Sequence, residues 1–171
     1  MPQCHLKRFP FRKALPGSQI LKSKLFSLLP PEWPQALFPD IQREVKIGER
    51  KVVVLDDDPT GTQTVHGIPV LTTWTVEALK QEFGQKTTAF YILTNSRSLP
   101  LNDAKKINKE IGHHLKVVSQ IKGRDFVVIS RSDSTLRGHF PGEIEALAQA
   151  LKETFDGWLF IPFFLEGGRY T

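Results

Sequence analysis

Three consecutive acids, Asp56, Asp57 and Asp58, are the residues of this sequence whose type and spacing most directly suggest chemistry. They come directly after the apolar run 52–55, which is typical of a buried strand, and a Pro-Thr-Gly sequence follows them. Unit charges about 4 Å apart repel by roughly 4 kcal/mol near a protein surface. Cations must therefore lie close to these carboxylates, or one of the carboxyl groups must keep its proton.

Clusters of polar and charged residues also follow three other apolar runs. Each cluster, with the run before it, is as follows: Ser96 and Arg97 after 89–93, residues 131–137 after 126–129, and residues 166–169 after 158–161. Because the carboxyl ends of parallel strands meet at one edge of a sheet, all four clusters are expected at that edge. They would bring five acids together with four bases, namely Asp56, Asp57, Asp58, Asp133 and Glu166 with Arg97, Arg131, Arg137 and Arg169. This near balance of charge predicts a polar binding site there and not a set of solvated loops.

The arginines of this predicted site suit a small, oxygen-rich anion. A guanidinium group presents a planar fork that matches a carboxylate or a phosphate. An aspartate beside it can accept protons or hydrogen bonds from hydroxyl groups. The sequence therefore predicts a polyhydroxy acid or a phosphorylated sugar as the ligand. The alternative for each arginine is a structural salt bridge to a nearby aspartate, for example between Arg137 and Asp133.

The elements that would position these residues alternate as strand, strand, helix, strand, helix, strand, helix, strand. Short apolar runs predict the strands, at 52–55, 68–72, 89–93, 126–129 and 158–161. Apolar residues repeated at three and four positions predict the helices, at 76–83, at 103–121 and from Pro141 to Phe155, with a short one over 39–46. Thr75 is expected to cap the first of these strand-connecting helices, Gly84 to end it, and Asn102 or Asp103 to cap the long one. This pattern predicts an α/β fold with a mostly parallel sheet flanked by helices, Rossmann-like and three-layered.

The excess positive charge lies outside the predicted α/β domain. The chain of 171 residues has a net charge of +5; residues 1–50 hold nine Lys or Arg against four Asp or Glu, whereas 51–171 hold fourteen of each. The domain therefore lacks the basic surface that nucleic acid binding requires, and nucleic acid is not an expected partner. Residues 1–21 are predicted to be a disordered basic leader, 22–50 a proline-rich packed arm and linker, and 51–171 the folded domain.

Several common kinds of site have no support in the sequence. The single cysteine, Cys4, excludes internal disulfides and zinc sites built on cysteine. No apolar run approaches the length of a membrane span and no signal-peptide core is visible, so a cytoplasmic chain without a membrane partner is expected. The motifs GxxxxGK[ST] and GxGxxG are missing. His113 and His114 are neighbours on a predicted helix and point apart, and His66 and His139 are expected in turns, so no metal site is predicted.

Four strings of the sequence together resemble the four-carbon acid sugar kinase family. They are DDDPTGTQTV, LTNSRSLP, SRSDSTLRGHFPGE and IPFFLEGGRYT, in that order, and DSTLRG is the most specific part. The resemblance covers roughly residues 22–171 and corresponds to the N-terminal, sugar-binding domain of that family. It implies transfer of the γ-phosphoryl group of ATP to a hydroxyl group of an erythronate-, threonate- or oxo-tetronate-like acid.

The resemblance also implies roles for individual residues. The acidic pair at the first strand tip falls on Asp57 and Asp58, and Asp57 is expected to orient or deprotonate the accepting hydroxyl group. The substrate-binding residues it implies are Asp58, Ser96, Arg97, Arg131, Asp133, Ser134, Arg137, Gly168 and Arg169. Two positions depart from the family pattern, because Asp56 makes a triple acid where a pair is usual and Pro59 stands where an aromatic residue is common. These departures leave the identity of the acid sugar open.

ATP and Mg²⁺ are the cofactors that the resemblance implies for the full-length family, in which a C-terminal domain binds the nucleotide. The sequence ends at Thr171, before such a domain, so the chain is expected to be a truncated kinase without a nucleotide site of its own. Phosphoryl transfer depends on positioning and on charge stabilisation by metal and basic groups. The chain alone is therefore expected to bind its small polyhydroxy acid weakly, without turnover.

Two other classes of function fit parts of the same sequence. The spacing of Asp56, Asp58 and Thr60 after an apolar strand also fits haloacid-dehalogenase-type phosphatases, in which Asp56 would attack phosphorus with Mg²⁺ bridging the carboxylates. That signature also needs an acidic pair after a later strand, whereas the run 158–161 is followed by Pro-Phe-Phe. The third class is a sugar-acid binding module without catalytic activity.

Overall fold

The computed structural model describes residues 21–28, 34–133, 137–153, 155 and 157–161. The chain divides into two compact units, residues 1–38 and residues 39–171. The described part of the first unit contains the short helix α1 (Lys22–Phe26). Apart from Leu21, the predicted leader lies outside the described residues.

The second unit is built on a parallel sheet. Its described strands are β1 (Lys51–Asp56), β2 (Val70–Leu71), β3 (Ala89–Leu93) and β4 (Phe126–Arg131), in the spatial order β2-β3-β1-β4. All three strand pairings are parallel, and β1 is the strand that lies between β3 and β4. The residues Val52, Val53 and Val54 of β1 are β-branched, which favours the pleated, covered position that they occupy.

Helices connect and flank the strands, which confirms the predicted α/β three-layer class. They are α2 (Phe38–Ile47), α3 (Val76–Phe83), α4 (Leu101–Lys122) and α5 (Gly142–Leu151). Two short 3₁₀ turns follow strand ends: turn 59–64 (Pro59–Thr64) after β1 and turn 96–98 (Ser96–Ser98) after β3. Both turns therefore lie where the polar clusters of the sequence were predicted.

The caps of the strand-connecting helices agree with the sequence at one helix and differ at another. Thr75 caps α3, since its side chain accepts a hydrogen bond from the Ala78 amide at 3.2 Å, and Gly84 ends the helix. The predicted cap of α4 at Asn102 or Asp103 was wrong, because the helix begins earlier and Pro100 is its N-cap. The Pro100 carbonyl accepts the first helical hydrogen bonds, and Asp103 lies in the first turn, where a negative charge suits the helix dipole.

The hydrophobic core joins the centre of the sheet to three helices. Alternate residues of two strands point into it, namely Val53 and Leu55 of β1 with Phe90 and Ile92 of β3. The helices contribute Leu79 and Phe83 of α3, Ile111, Leu115 and Val118 of α4, and Leu147 and Leu151 of α5. Each such side chain stabilises the fold by about 1.5–3 kcal/mol through burial. This rigid base holds the carboxyl ends of β1 and β3 in place.

A buried lysine lies at the opposite, amino-terminal end of β1. Lys51 is fully buried, and its Nζ lies 3.1 Å from the Thr87 hydroxyl oxygen and 3.7 Å from Glu82 Oε1. Burial lowers the pKa of Lys51, and the positive charge of Arg124 adds to this effect. Lys51 and Glu82 therefore form a polar pair that is far along the strand from the acidic cluster.

The predicted last strand, 158–161, was wrong, because these residues lie outside the sheet. Leu159 is almost fully exposed, and Trp158, Phe160 and Ile161 are each at least 47% exposed. Phe160 instead stacks on Phe140, with ring centroids 4.6 Å apart. An apolar run of this kind indicates a strand only where a neighbouring strand accepts its hydrogen bonds. None of the strands that the structure describes pairs with residues 158–161.

Candidate functional site

The ends of three neighbouring strands bring the predicted polar clusters to one edge of the sheet. Asp56 is the last residue of β1, and its register partners are Leu93 at the end of β3 and Arg131 at the end of β4. The residues that follow these ends are the acids, turn 96–98 and the segment after Arg131. The fourth predicted cluster, with Gly168 and Arg169, lies outside the described residues, and so does Ser134.

Asp57 and Arg97 form a largely buried ion pair at this edge, held by two parallel hydrogen bonds. Arg97 Nε donates to Asp57 Oδ2 at 3.2 Å and Arg97 Nη2 donates to Asp57 Oδ1 at 2.6 Å. The Ser132 hydroxyl also donates to Asp57 Oδ2, at 2.6 Å. Both carboxylate oxygens of Asp57 thus accept hydrogen bonds from neighbouring side chains.

Asp58 is the most accessible of the three acids. Its carboxylate accepts from the Thr60 amide at 2.8 Å, which caps turn 59–64, and lies 3.1 Å from Arg97 Nη1. The side chain of Asp58 is 26% exposed, against 4% for Asp57. Hydrogen bonds from the side chain and backbone of Thr60 lower the pKa of Asp58, and the charges of Arg97 and Arg137 lower it further. Asp58 is therefore an ionised acceptor near the surface.

Asp56 points to the other side of the strand end and pairs with Arg131. Asp56 Oδ1 accepts from Arg131 Nη1 at 3.2 Å and lies 3.5 Å from the Asp58 amide nitrogen. The carboxylate is fully buried, and its Oδ2 has no hydrogen-bond partner among the described residues. Burial raises the pKa of Asp56, and the opposing effect of Arg131 is smaller. The Arg131 side chain itself is 37% exposed.

Each of the three acids pairs with a guanidinium group, which offsets part of their mutual repulsion. Asp56 meets Arg131, whereas Asp57 and Asp58 share Arg97. Burial lowers the pKa of Arg97, but its bonds and attraction to Asp57 outweigh this, so the net shift is upward. Arg97 is therefore a permanent cation that links two carboxylates.

Two glycines lie directly against these ion pairs. A Cβ atom at Gly61 would lie 2.0 Å from Asp56 Oδ2 and 2.1 Å from Arg131 Nη1. A Cβ atom at Gly138 would lie 2.0 Å from the Ser132 hydroxyl oxygen and 2.8 Å from Asp57 Oδ2. Separations under 3.0 Å essentially never occur for real Cβ atoms, so both positions require glycine while the pairs keep their places. This is the physical reason for the glycine in each of the strings DPTG and STLRG.

Asp133 and Arg137 form a further pair beside the first two. Arg137 Nε donates to Asp133 Oδ2, and this bond raises the pKa of Arg137. The Asp133 side chain is buried, whereas the Arg137 side chain is 67% exposed. The pairing that the sequence suggested for these two residues is therefore present, and the Arg137 head lies at the surface of the site.

Ser96 lies in the layer beneath the surface of the site. It is fully buried, and its hydroxyl group lies 2.9 Å from that of Thr94. Thr94 in turn donates to the Asp56 carbonyl from its amide at 2.9 Å and from its hydroxyl at 3.0 Å. Ser96 therefore supports the end of β1 in this structure, and a direct contact between Ser96 and a ligand stays a prediction.

Sequence reasoning missed three residues that shape the site: Ser132, Gly61 and Gly138. Ser132 lies in the quoted string SRSDSTLRG, but serines are common in loops, and its bond to Asp57 depends on how β4 ends. The glycines carried a clearer signal. Each follows an acid-containing motif after a strand, where close approach of the backbone to a neighbouring group is a usual reason for glycine.

Histidines and metal ligands add nothing further to this edge. His139 Nε2 lies 2.8 Å from the Leu99 carbonyl oxygen, and His114 Nδ1 lies 2.8 Å from that of Trp74. Among the residues that the structure describes, no three His, Cys, Asp or Glu side chains are grouped so that they could hold a metal ion. Over the same residues, no helix has both the length and the apolar character needed to cross a membrane.

Comparison with known proteins identifies the domain that carries this site. No curated protein and no solved structure matches the chain. The family model of the sugar-binding N-terminal domain matches residues 52–171, well over half of the sequence. The matched region begins in β1 and includes the four arginine–aspartate ion pairs described at this edge. The chain therefore belongs to the family of sugar-binding N-terminal domains.

Proposed function

We propose that this domain binds a four-carbon acid sugar and presents one of its hydroxyl groups for phosphorylation by ATP. The observation that carries the proposal is the convergence of the β1, β3 and β4 ends, which places three arginines paired with four aspartates at one edge of the sheet. A sugar acid needs both kinds of group, because its carboxylate is matched by guanidinium groups and its hydroxyls by carboxylates. The sequence resemblance to acid sugar kinases supports the same class.

Arg131 is the arginine that we assign to the ligand carboxylate. Its side chain is more exposed than that of Arg97, at 37% against 16%. Arg97 directs its three guanidinium nitrogens at Asp57 and Asp58, whereas the ion pair of Arg131 uses Nη1 alone. Among the described residues, the ion pair of Arg131 therefore leaves its other guanidinium donors for a ligand, and the Arg137 side chain is 67% exposed.

Asp58 is the carboxylate that we assign to the ligand hydroxyl groups. Its lowered pKa keeps it ionised, and it is the most exposed of the three consecutive acids. Asp57 acts in this proposal by orienting Arg97 and the start of turn 96–98, whose Arg97 amide donates to the Asp57 carbonyl at 3.1 Å. Asp57→Asn and Asp58→Asn separate the two roles, since the first should alter folding stability and the second mainly ligand affinity.

ATP and Mg²⁺ belong to the proposed reaction, but the described residues offer no site that fits the metal. Asp57 and Asp58 are the obvious carboxylates, and both already pair with Arg97. We therefore assign no nucleotide or metal ligand among the residues that the structure describes. In our proposal these residues bind the acid sugar, orient it and hold one of its hydroxyl groups beside Asp58.

The phosphatase alternative has less support from the geometry. A nucleophilic Asp56 would need an accessible carboxylate, whereas Asp56 is fully buried, paired with Arg131 and in contact with Gly61. Asp56→Asn separates the two functions, because it would abolish a phosphatase that uses Asp56.

Calorimetric titration of the chain tests the proposal. We expect D- or L-threonate or erythronate to bind, and the neutral polyol erythritol to bind at least ten-fold more weakly because it lacks the carboxylate. Because we assign no nucleotide ligand to the described residues, we expect Mg-ATP to leave the tetronate affinity of this chain unchanged, and formation of a phosphorylated acid by this chain alone would contradict that assignment. Equal binding of erythritol and the tetronates, or no binding of either, would contradict the assignment.

A further inference from the structure

Asp56 has features that neither ligand contact nor simple stabilisation explains. It is fully buried, so it cannot touch a ligand at the surface of the site. Its Oδ2 is a buried polar atom without a partner among the described residues, a costly arrangement for a charged group. A buried acid with an unpartnered oxygen indicates a role that another side chain at this position would not fill.

The surroundings of Asp56 show what it holds in place. On one side, Arg131 lies opposite it in the strand register and donates to Oδ1 at 3.2 Å. On the other side, Gly61 of turn 59–64 lies against both the carboxylate and the guanidinium group. The Asp58 amide nitrogen, at the start of the same turn, lies 3.5 Å from Oδ1. Asp56 thus contacts both the arginine assigned to the ligand carboxylate and the turn that carries Asp58.

We propose that Asp56 is a positioning residue, which fixes Arg131 and turn 59–64 relative to each other and so sets the distance between the two groups that recognise the acid sugar. This inference rests on the proposed function for the identity of the ligand, but the geometry of Asp56, Arg131 and Gly61 carries it. Asp56 is also the residue that makes the acid pair of the sequence a triple. The additional acid, Asp56, therefore affects how Arg131 and turn 59–64 are arranged and does not itself contact the ligand.

Positioning and simple electrostatics predict opposite results for Asp56→Asn. Removing a negative charge beside a site for an anion strengthens the attraction of that anion, so a purely electrostatic role predicts tighter binding. If Asp56 positions Arg131, binding becomes weaker instead, because an exposed guanidinium group without its anchor samples other rotamers. Asparagine has nearly the same shape and still accepts a hydrogen bond, so this variant is expected to fold.

The experiment measures threonate and erythronate affinity by calorimetry, together with the unfolding temperature, for the full chain and four variants. For Asp56→Asn we expect binding at least ten-fold weaker and an unfolding temperature that is retained or raised. Glu82→Gln is the matched control, a buried acid at the other end of the sheet, and should lower stability with unchanged affinity. Adding Asp56→Asn to Arg131→Gln should weaken binding by a smaller factor than Asp56→Asn does in the unmodified chain.

Hydrogen exchange of the segment 57–64, relative to that of β3, provides a readout that needs no ligand. We expect faster exchange in Asp56→Asn than in the unmodified chain, with no such difference in Glu82→Gln. Unchanged or tighter tetronate binding by Asp56→Asn would overturn the inference. If the unmodified chain binds no tetronate, the proposed function fails, and the exchange rates then decide the inference: faster exchange supports it and unchanged exchange overturns it.

Discussion

Arg97 holds Asp57 through two parallel donors, with Nε 3.2 Å from Oδ2 and Nη2 2.6 Å from Oδ1. The third nitrogen of the same guanidinium group reaches Asp58 at 3.1 Å. One cation from the turn after β3 thus pairs with two of the three acids after β1. The repulsion among the acids is reduced by a residue some forty positions away in the chain.

Replacement of Arg97 should therefore be costly. We expect Arg97→Ala to lower the free energy of unfolding by about 3 kcal/mol, since it leaves the buried Asp57 carboxylate without its main partner. Arg97→Lys should recover part of this, because it restores the charge but not the fork. Urea unfolding measures both. Arg43→Ala is the control: Arg43 pairs with Asp40 on an exposed helix surface, where about 0–1 kcal/mol is expected. Equal losses for Arg97→Ala and Arg43→Ala would contradict the account.

Asp56 and Asp58 should affect the pH dependence of folding stability in opposite directions. The folded-state pKa of Asp56 is raised above its ordinary value of 3.8, so the folded form binds more protons than the unfolded form between those two pKa values. Stability from this group is therefore present below pH 3.8 and is lost as the pH rises through the folded pKa. Asp56→Asn should consequently gain unfolding temperature relative to the unmodified chain over that interval.

Asp58 should behave in the reverse way. Its folded-state pKa is lowered, chiefly by the two hydrogen bonds from Thr60, so its stabilising effect is present above pH 3.8 and is lost as the pH falls through the folded pKa. Thermal unfolding followed from about pH 2 to pH 7 for both asparagine variants tests the pair. A difference curve of the same sign for the two variants would contradict the assigned environments.

The two glycines of the site should not tolerate alanine. We expect Gly61→Ala and Gly138→Ala each to lower the free energy of unfolding by about 1–3 kcal/mol, because the new methyl group must displace an ion pair or the Ser132–Asp57 bond. Gly157→Ala is the matched control, since a Cβ atom there meets nothing within 4 Å. Chemical denaturation compares the three variants, and an equal response at all three positions would show that the site is not closely packed.

Much of the fold could be predicted because local signals agreed with tertiary needs. β3 and α3 have the bounds that were predicted, 89–93 and 76–83, since an apolar run and a threonine–glycine pair of caps mark their ends. The run 158–161 carried the same apolar signal but forms no strand. A strand forms only where a neighbouring strand is available to pair with it. The sequence of the run does not show whether such a neighbour is available.

The location of the site at one edge of the sheet could be predicted from the sequence, but the pairing of its individual residues could not. The meeting of the clusters at one sheet edge follows from the parallel topology, which the alternation of elements indicated. The choice of Arg97 as partner of both Asp57 and Asp58 depends on how turn 96–98 approaches β1. The burial of Ser96 depends on the hydroxyl of Thr94, and neither follows from spacing alone.

The most direct test of the central claim is an NMR titration of the ¹⁵N-labelled chain with threonate and erythronate. The claim is that the acids and arginines form one sugar-acid site. It predicts shifts in the backbone amides of Asp57, Asp58, Thr60 and Gly61, in those of 131–133, and in the Arg97 and Arg131 side-chain Nε–H signals, all with one common affinity. It also predicts no shift around Lys51 and Glu82, at the far end of the sheet. Shifts scattered over the surface, or confined to groups away from these strand ends, would contradict it.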